Sequence, residues 1–359
     1  MPASYRGRDA LNRLSVETEA RGASRGRAYR SYERIPGSSQ AGSARSNGGT
    51  VLIETVLVTG GCGRLGRYVV DELRSRYRVT TLDVVDSPWT LPHLKLDILD
   101  LPGLHRACAG QDAVVHLAAL DGHVEMPAAR FLAVNALGTW NVLEAGFEAG
   151  VKQAVVASSN SALGLSDAEG ALQPLYIPLD EVHPTWPTHA YALSKLLNEV
   201  TAESFGRRRR MRVICIRPTY IMFPELVPSI AARTQGLPVS PNTAHPDPAF
   251  TAALKEPLSL LRCYVEPRDV ARLFRLALEH VGAPYGVFYG SAADSFEPQP
   301  TLSYFERRYG TLPEIRKPWV YERNPYAAAV DCSRAHDVLG WTPTSDWVQM
   351  SGVARQPTP

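Results

Sequence analysis

The chain has few cysteines, no long apolar run and almost no net charge, and each shortage narrows the range of functions. Its five cysteines lie far apart in 359 residues and do not form the close pairs typical of metal ligands. We therefore expect buried thiols, a reducing and thus cytoplasmic location, and no metal ion. No apolar stretch approaches the length of a membrane span. The net charge of +2 gives no general reason to expect a nucleic-acid partner.

Residues 1–50 lack the aliphatic periodicity of a folded domain. They hold nine arginines but only four acidic residues, together with many glycines and serines. This composition predicts a disordered leader. The alternative is an organelle transit segment, which is rich in arginine and serine and poor in acids, although Glu17, Glu19 and Glu33 weigh against it. In both cases the leader lies outside the fold.

Beyond the leader the chain can form a large core, since 45% of the sequence is hydrophobic. Over residues 51–218, short β-branched runs alternate with helical patterns. This alternation predicts an α/β fold, a Rossmann-type doubly wound parallel sheet with ligands beyond the carboxyl ends of its strands. Residues 219–345 are less regular, and we expect a smaller part that binds mainly substrate, with some elements returning to the core. The proline-rich stretch 237–257 is expected to be a loop or lid, and 346–359 a tail.

Three glycines at three-residue spacing lie between the first strand pattern and the first helix pattern. Gly60, Gly63 and Gly66 follow the apolar run that ends at Thr59. Such a turn lets backbone amides approach a pyrophosphate at the positive end of the helix. The third glycine removes a side chain where helix and strand meet. The alternative is a turn with a purely structural role.

Asp83 ends the next strand pattern, about where an acid binds the adenosine ribose of a dinucleotide. A carboxylate there accepts the 2′-hydroxyl and repels a 2′-phosphate, so NAD is favoured over NADP. Arg64, inside the glycine turn, keeps NADP open, because a guanidinium could meet the additional phosphate.

Tyr191 and Lys195 lie one helical turn apart, on one face of a predicted helix. A tyrosine with a pKa of about 10 is a poor base near neutrality. A lysine cation and a positive nicotinamide ring would favour the phenolate, which could then take a hydroxyl proton as hydride leaves the same carbon. The alternative is a chance pair on an amphipathic helix.

Further motifs accompany the turn and this pair. They are Asp97-Ile98, His116-Leu-Ala-Ala119, Asn135, Ser158-Ser159, Arg217-Pro218, Tyr264-Val-Glu-Pro-Arg-Asp-Val-Ala271 and Leu339-Gly-Trp-Thr-Pro343. With these motifs the chain resembles the extended short-chain dehydrogenase/reductase family, of the NAD-dependent epimerase/dehydratase type. The resemblance covers about residues 53–345, and several of its motifs are independent of one another.

The resemblance implies a place for each motif along one NAD molecule. Asp83 would hold the adenosine ribose, and Asp97 and Ile98 would flank the adenine. Lys195 would bind the nicotinamide ribose as well as tune Tyr191. The other residues assigned to the cofactor lie in the glycine turn, after the fourth strand and on the next helix: Gly60, Gly63, Arg64, Leu65, Gly66, Leu117, Ala118, Ala119 and Asn135.

The resemblance also implies a catalytic set of Ser159, Tyr191 and Lys195. Ser159 would hydrogen-bond the reacting oxygen, and we choose it over Ser158 because it stands five residues before Gly164. Many relatives have tyrosine just before that glycine, where this chain has leucine, which indicates a different substrate pocket.

For four polar residues a second interpretation stays open. Asn135 could only bridge helix and sheet, and His116 fits a strand histidine better than an acid–base group. Arg217 and Arg268 could bind an anionic substrate or pair with acids such as Glu266.

The resulting hypothesis is an NAD-dependent oxidoreductase that transfers hydride at a hydroxyl carbon of a sugar, uronate or nucleotide sugar. The loops at 158–164 and 290–294 are similar to those of uronate dehydrogenases in the family. The alternatives are a nucleotide-sugar epimerase with no net redox change, or a non-catalytic NAD-binding sensor or scaffold. A dehydratase is disfavoured because Asn160 and Ser161 supply no acid pair. Apolar residues on the helix of Tyr191 are compatible with a homodimer.

Overall fold

The structure is a computed structural model that describes residues 52–122, 126–165, 172–238 and 261–356. The predicted leader at 1–50 lies outside the described residues. So does most of the loop or lid predicted at 237–257. Within the described residues, no helix has both the length and the apolar character needed to cross a membrane.

The described strands are short, as expected for an α/β fold. They are β1 (Thr55–Thr59), β2 (Arg78–Asp83), β3 (His93–Lys95), β4 (Ala113–His116), β5 (Gln153–Ala157), β6 (Tyr176–Ile177), β7 (Arg212–Pro218), β8 (Tyr220–Ile221), β9 (Tyr264–Val265), β10 (Tyr285–Gly290) and β11 (Glu314–Ile315). Seven of them form one parallel sheet in the order β10-β7-β5-β4-β1-β2-β3. This topology confirms the predicted Rossmann-type sheet.

Helices connect these strands. They are α1 (Arg64–Leu73), α2 (Leu101–Cys108), α3 (Ala128–Phe131), α4 (Gly138–Ala149), α5 (Ala190–Arg207), α6 (Val227–Thr234), α7 (Pro267–Glu279), α8 (Thr301–Tyr309), α9 (Pro318–Arg323), α10 (Ser333–Leu339) and α11 (Trp347–Ser351). A π-helical segment, Leu132–Leu137, joins α3 to α4 where the sequence predicts one helix. Short 3₁₀ turns lie at Asn160–Leu163 and Pro224–Leu226.

The sheet separates two apolar cores because successive side chains of a strand point to opposite faces. In β1, Val56 and Val58 pack with α1 and α7, whereas Leu57 packs with α2 and α4 on the other face. All three side chains are fully buried, which explains why this strand is a continuous apolar run. The sheet is thus a rigid base for the loops at its carboxyl edge.

The chain after Pro218 returns to this sheet. Strand β10 pairs in parallel with β7, and α7 packs against α1. Outside the large sheet, β8 pairs with β9 and β11 pairs with β6 in two small parallel sheets. The proposed functional division at residue 218 stays a prediction.

Strand β4 ends earlier than its apolar pattern predicts. It stops at His116, although the pattern continues to Ala119. The side chain of Asn135 accepts from the Leu120 N–H at 2.8 Å and donates to the Leu120 carbonyl at 3.2 Å. A side chain here satisfies backbone groups that a neighbouring strand would otherwise bond. The chain can therefore leave the sheet at residue 117 and form a loop at the carboxyl edge.

His116 is a neutral core histidine. Thr139 donates its hydroxyl to the Asn135 carbonyl at 2.6 Å, so it accepts from His116 Nε2–H at 3.0 Å. The other ring nitrogen, Nδ1, then accepts from the Thr59 hydroxyl at 2.7 Å. Burial lowers the pKa of His116 to about 3, with Lys195 adding to the effect. This geometry supports the interpretation of His116 as a strand histidine.

We predict that acid destabilises the fold through His116. In the unfolded chain His116 is protonated below about pH 6.5, whereas in the folded chain its pKa is about 3. The unfolded state therefore binds more protons between these pH values, so the free energy of unfolding decreases as the pH falls. From pH 7 to 5 the loss is about 2 kcal/mol. Urea unfolding of the wild type and His116→Gln at both pH values measures it. Equal pH dependence in the two proteins would contradict this origin.

Candidate active site

The glycine turn after β1 requires glycine at two positions. Gly60 has a φ of +70°, and a Cβ there would lie 2.5 Å from the Ala118 nitrogen. A Cβ on Gly66 would lie 2.2 Å from the Gly60 carbonyl oxygen. The turn is therefore packed backbone to backbone against the loop after β4. Gly63 is less restricted, because its Cβ would lie 3.3 Å from that oxygen.

The N-terminus of α1 fits a phosphate group. Gly63 is the N-cap residue and provides no side-chain hydrogen bond, and the first turn contains no acid. The first N–H groups of a helix lack intrahelical acceptors, and they carry the positive end of the helix dipole. Together with the close-packed glycines, this end of α1 fits the pyrophosphate predicted to bind here, and we call it the cradle. Leu65, one of the predicted cofactor-binding residues, lies in this first turn.

Asp83 and the 97–98 motif lie on the β2 side of the turn. The Asp83 carboxylate accepts from Cys62 N–H at 3.0 Å and from Val84 N–H at 2.8 Å, which fixes it at the end of β2. Asp97 is exposed and caps the Leu99 amide at 2.9 Å, which explains why β3 stops at Lys95 instead of continuing to residue 99. Ile98 is buried, and its Cδ1 would lie 2.4 Å from a Cβ on Gly138.

Arg64 points to the other side of the turn. Its Nη2 donates to Asp121 Oδ2 at 2.7 Å, in the loop after β4, and its guanidinium lies 5.0 Å from the centre of the Phe223 ring. Strands β4 and β2 flank β1 on opposite sides, so the guanidinium is held on the side away from Asp83. No local pattern predicts this partner, which lies 57 residues further along the chain.

The Tyr191–Lys195 pair lies on α5 as predicted, one turn apart. Lys195 Nζ lies 5.7 Å from the centre of the Tyr191 ring and donates to the Ala157 carbonyl at 3.0 Å. Burial lowers the pKa of Lys195 to about 8, while the charge of Asp121 opposes the shift. The Tyr191 ring lies edge-on to Phe131, and its Cδ1 would be 2.7 Å from a Cβ on Gly122.

The two serines after β5 have different partners. Ser158 donates to Glu199 Oε1 at 2.5 Å, inside the protein. Ser159 Oγ instead accepts from the Ser161 N–H at 3.1 Å and so caps the 3₁₀ turn at the edge of the site. Because Ser158 is committed to a buried carboxylate, this arrangement favours Ser159 as the serine that meets a substrate.

Glu199 joins a buried ion pair beneath the site. Arg217 donates to both of its carboxylate oxygens at 2.7 Å, and each side chain is only 5% exposed. Burial disfavours the Arg217 cation, but the bonds to Glu199 and the hydroxyl of Tyr289 outweigh burial and raise its pKa. The structure thus gives Arg217 an acidic partner. Sequence reasoning missed Glu199, although it follows Lys195 by one helical turn.

The remaining predicted residues are also placed. Arg268 bonds to Glu266 at 2.8 Å, so it too has an acidic partner. Asn135 bridges the backbone of Leu120, in the loop after β4, and Ser194 Oγ on α5, the latter at 3.0 Å. Leu117, Ala118 and Ala119 form the start of the loop that packs on the glycine turn. Their roles toward a cofactor, like those of the whole predicted site, stay predictions.

The fold and the cradle together define the class of protein, a Rossmann-type enzyme that uses a dinucleotide. The chain belongs to the NAD-dependent epimerase/dehydratase family, whose model matches residues 56–288. This match confirms the predicted family and its NAD-dependent enzyme class.

Two relatives with similar sequences are dehydrogenases. An L-arabinose 1-dehydrogenase (NAD(P)(+)) from Haloferax volcanii is 29% identical over 172 residues, which are 46% of this chain and 67% of that protein. A uronate dehydrogenase from Pseudomonas syringae pv. tomato is 29% identical over 167 residues, which are 45% of this chain and 58% of that protein. This chain therefore spans less than two thirds of the uronate dehydrogenase that it matches.

Solved structures are similar over a longer span. A short-chain dehydrogenase/reductase superfamily protein from Agrobacterium tumefaciens, with bound NAD, has a TM-score of 0.60 at 24% identity, and the match covers 83% of this chain and 95% of that one. MoeE5, in complex with UDP-glucuronic acid and NAD, has a TM-score of 0.58 at 25% identity, with 83% and 96% covered. The similarity to the Agrobacterium tumefaciens protein shows a shared fold and no more.

We predict that Gly66→Ala weakens cofactor binding, because its new methyl group would collide with the Gly60 carbonyl and displace the turn. NADH fluorescence titration should show a loss of at least tenfold in affinity. Gly146→Ala is the matched control, since its Cβ would make an ordinary contact at 3.6 Å with Val151 in a helix that favours alanine. Wild-type affinity in Gly66→Ala would contradict the assignment of the cradle.

Proposed function

We propose that this chain is an NAD-dependent dehydrogenase that transfers a hydride from a hydroxyl-bearing carbon of a sugar or sugar acid. The observation that carries the proposal is the meeting of three elements at one edge of the sheet. Arg64 of the glycine turn bonds to Asp121 of the loop after β4, and the next residue, Gly122, lies against the Tyr191 ring. The Tyr191–Lys195 pair therefore lies beside the pyrophosphate cradle.

The roles of the side chains follow from their chemistry. Bound NAD supplies the hydride acceptor. Tyr191, as a phenolate, takes the proton of the substrate hydroxyl, so that the carbon losing the hydride becomes a carbonyl carbon. The Lys195 ammonium stabilises that phenolate by its positive charge. Ser159 donates a hydrogen bond to the reacting oxygen and holds it near Tyr191.

The proposed substrate class is supported by the names of the relatives. The curated relatives described above are named as dehydrogenases of L-arabinose and of uronates. These names support a free sugar or sugar acid and a reaction that releases NADH. One solved neighbour holds UDP-glucuronic acid instead, which keeps a nucleotide sugar as the second substrate class.

The decisive experiment follows nicotinamide absorbance while the purified protein meets NAD and a panel of aldoses, uronates and nucleotide sugars. Growth of free NADH with one class supports a dehydrogenase and identifies its substrate class. No growth, with NAD recovered from the denatured protein and an epimerised nucleotide sugar in solution, would replace the proposal by an epimerase. Nucleotide binding without any turnover would favour the sensor or scaffold.

We predict that Tyr191→Phe lowers kcat by about 10²- to 10⁴-fold, the usual range for a lost acid–base group. NADH affinity should stay within twofold of the wild type, because the ring still packs against Phe131. Tyr77→Phe is the control, since it removes a hydroxyl that bonds to Glu279 and should leave kcat unchanged. Undiminished turnover in Tyr191→Phe would exclude the proposed base.

We predict a fall of kcat/KM above about pH 8 in the wild type, because Lys195 loses its proton there and no longer stabilises the phenolate. Asp121 raises the pKa of Lys195, so Asp121→Asn should move this limb to lower pH. The measurement is a pH series of kcat/KM with the substrate found in the panel. An unmoved limb would contradict the coupling between Asp121 and Lys195.

Assembly and location belong to the same proposal. Exposed apolar side chains on the π-helical segment, α4 and α5 support a homodimer: Leu137, Trp140, Leu193, Leu197 and Val200. Light scattering of the purified chain tests it. The cytoplasmic location stays a prediction from cysteine usage.

A further inference from the structure

The crevice for a ligand in this sheet lies between β1 and β4. These strands are neighbours, but the chain leaves β1 toward β2 and leaves β4 toward β5, on opposite sides. The loops that follow them therefore diverge and leave a crevice at the carboxyl edge, where open α/β sheets bind ligands. Arg64 is the first residue of α1, directly after the first loop, and Asp121 lies in the second loop; their side chains meet at 2.7 Å.

A cation at the first position of α1 is unfavourable for the helix alone. The N-terminus of a helix carries a partial positive charge, which favours acids there and disfavours arginine. The first turn of α1 contains no acid, and its N-cap is a glycine without a side chain. The positive charge of Arg64 therefore adds to that of the helix end, and a dianionic pyrophosphate is the group that this combination suits.

The Arg64 guanidinium is also held in place from two sides. Asp121 bonds to Nη2, and the Phe223 ring lies 5.0 Å from the guanidinium carbon. A guanidinium has five N–H donors in one plane, so one edge can bond to a carboxylate while another bonds to a phosphate. The Arg64 side chain has therefore lost its conformational entropy before a ligand binds. A site preorganised in this way gains affinity, because binding no longer has to order the side chain.

We propose that Arg64 binds the pyrophosphate of the dinucleotide, and that Asp121 is a positioning residue that holds Arg64 over the crevice. The inference rests on the proposed function, since it needs a dinucleotide in the cradle. It assigns Arg64 to a group that NAD and NADP share, and not to the 2′-phosphate that distinguishes them. Discrimination between the two cofactors is then left to Asp83, on the other side of β1.

The first test is binding, without turnover. NADH and NADPH are titrated by fluorescence, and ADP-ribose by displacement of NADH. Arg64→Gln should weaken all three by about tenfold, with an unchanged ratio of NADH to NADPH affinity and a smaller loss of affinity on adding salt. Arg67→Gln, an equal charge change at an exposed position on the same helix, should alter affinity by less than twofold.

Two results of this test would overturn the proposal. Wild-type affinity of Arg64→Gln for ADP-ribose would remove Arg64 from the pyrophosphate. A loss confined to NADPH would assign Arg64 to the 2′-phosphate. If the wild type itself binds neither NADH nor ADP-ribose, the proposed function fails first, so the two failures are distinguishable.

The second test is a double-mutant cycle that isolates the positioning role of Asp121. Removing Asp121 alone also removes a negative charge near the phosphate, so its single effect mixes two causes. The loss of affinity caused by Arg64→Gln is therefore measured both in the wild-type background and in the Asp121→Asn background. We expect Arg64→Gln to weaken dinucleotide affinity about tenfold when Asp121 is present, and threefold or less when residue 121 is Asn. An equal cost in both backgrounds would overturn the positioning role, and thermal melts confirm that each variant is folded.

Discussion

The buried pair of Glu199 and Arg217 is the interaction on which the site depends. It joins three elements to the loop after β5: Glu199 lies on α5, Ser158 directly follows β5, Arg217 lies on β7, and Arg217 donates to the Tyr289 hydroxyl on β10 at 3.3 Å. Removing one partner of a buried pair leaves an uncompensated charge and typically costs about 3–5 kcal/mol. The pair therefore fixes the position of α5 relative to the loop after β5, while its own charges are buried.

The elements that the sequence predicted well are those with local signals. The two core faces of β1 follow from a continuous apolar run, and the turn after it follows from glycines that no other residue could replace at residues 60 and 66. The Tyr191–Lys195 pair was visible because helical periodicity puts residues four apart on one face. For these features, neighbours in sequence are also neighbours in space, so a short window holds the needed information.

The features that the sequence did not predict depend on distant partners. Arg217 could have met a substrate or an acid, and only the fold brings Glu199 of another element within reach. For Arg268, by contrast, the acid named from the sequence is its neighbour Glu266, two residues away. The early end of β4 depends on Asn135, which reaches back 15 residues to replace a strand partner. The hardest part to predict is residues 219–345, the part expected to bind substrate, because its irregular segments have no periodicity from which contacts could be inferred.

The last feature with wider consequences is Trp341, near the end of the chain. Its indole N–H donates to the Asp269 carbonyl at 2.8 Å, and its ring is fully buried in the core that also contains Val56 and Val58 of the first strand. The apolar layer on this face of the sheet therefore draws on residues from both sides of Pro218. A cut at that position would remove Trp341 and the side chains of α7 from the core that contains Val56 and Val58. The predicted functional division is thus not a division between two separate cores.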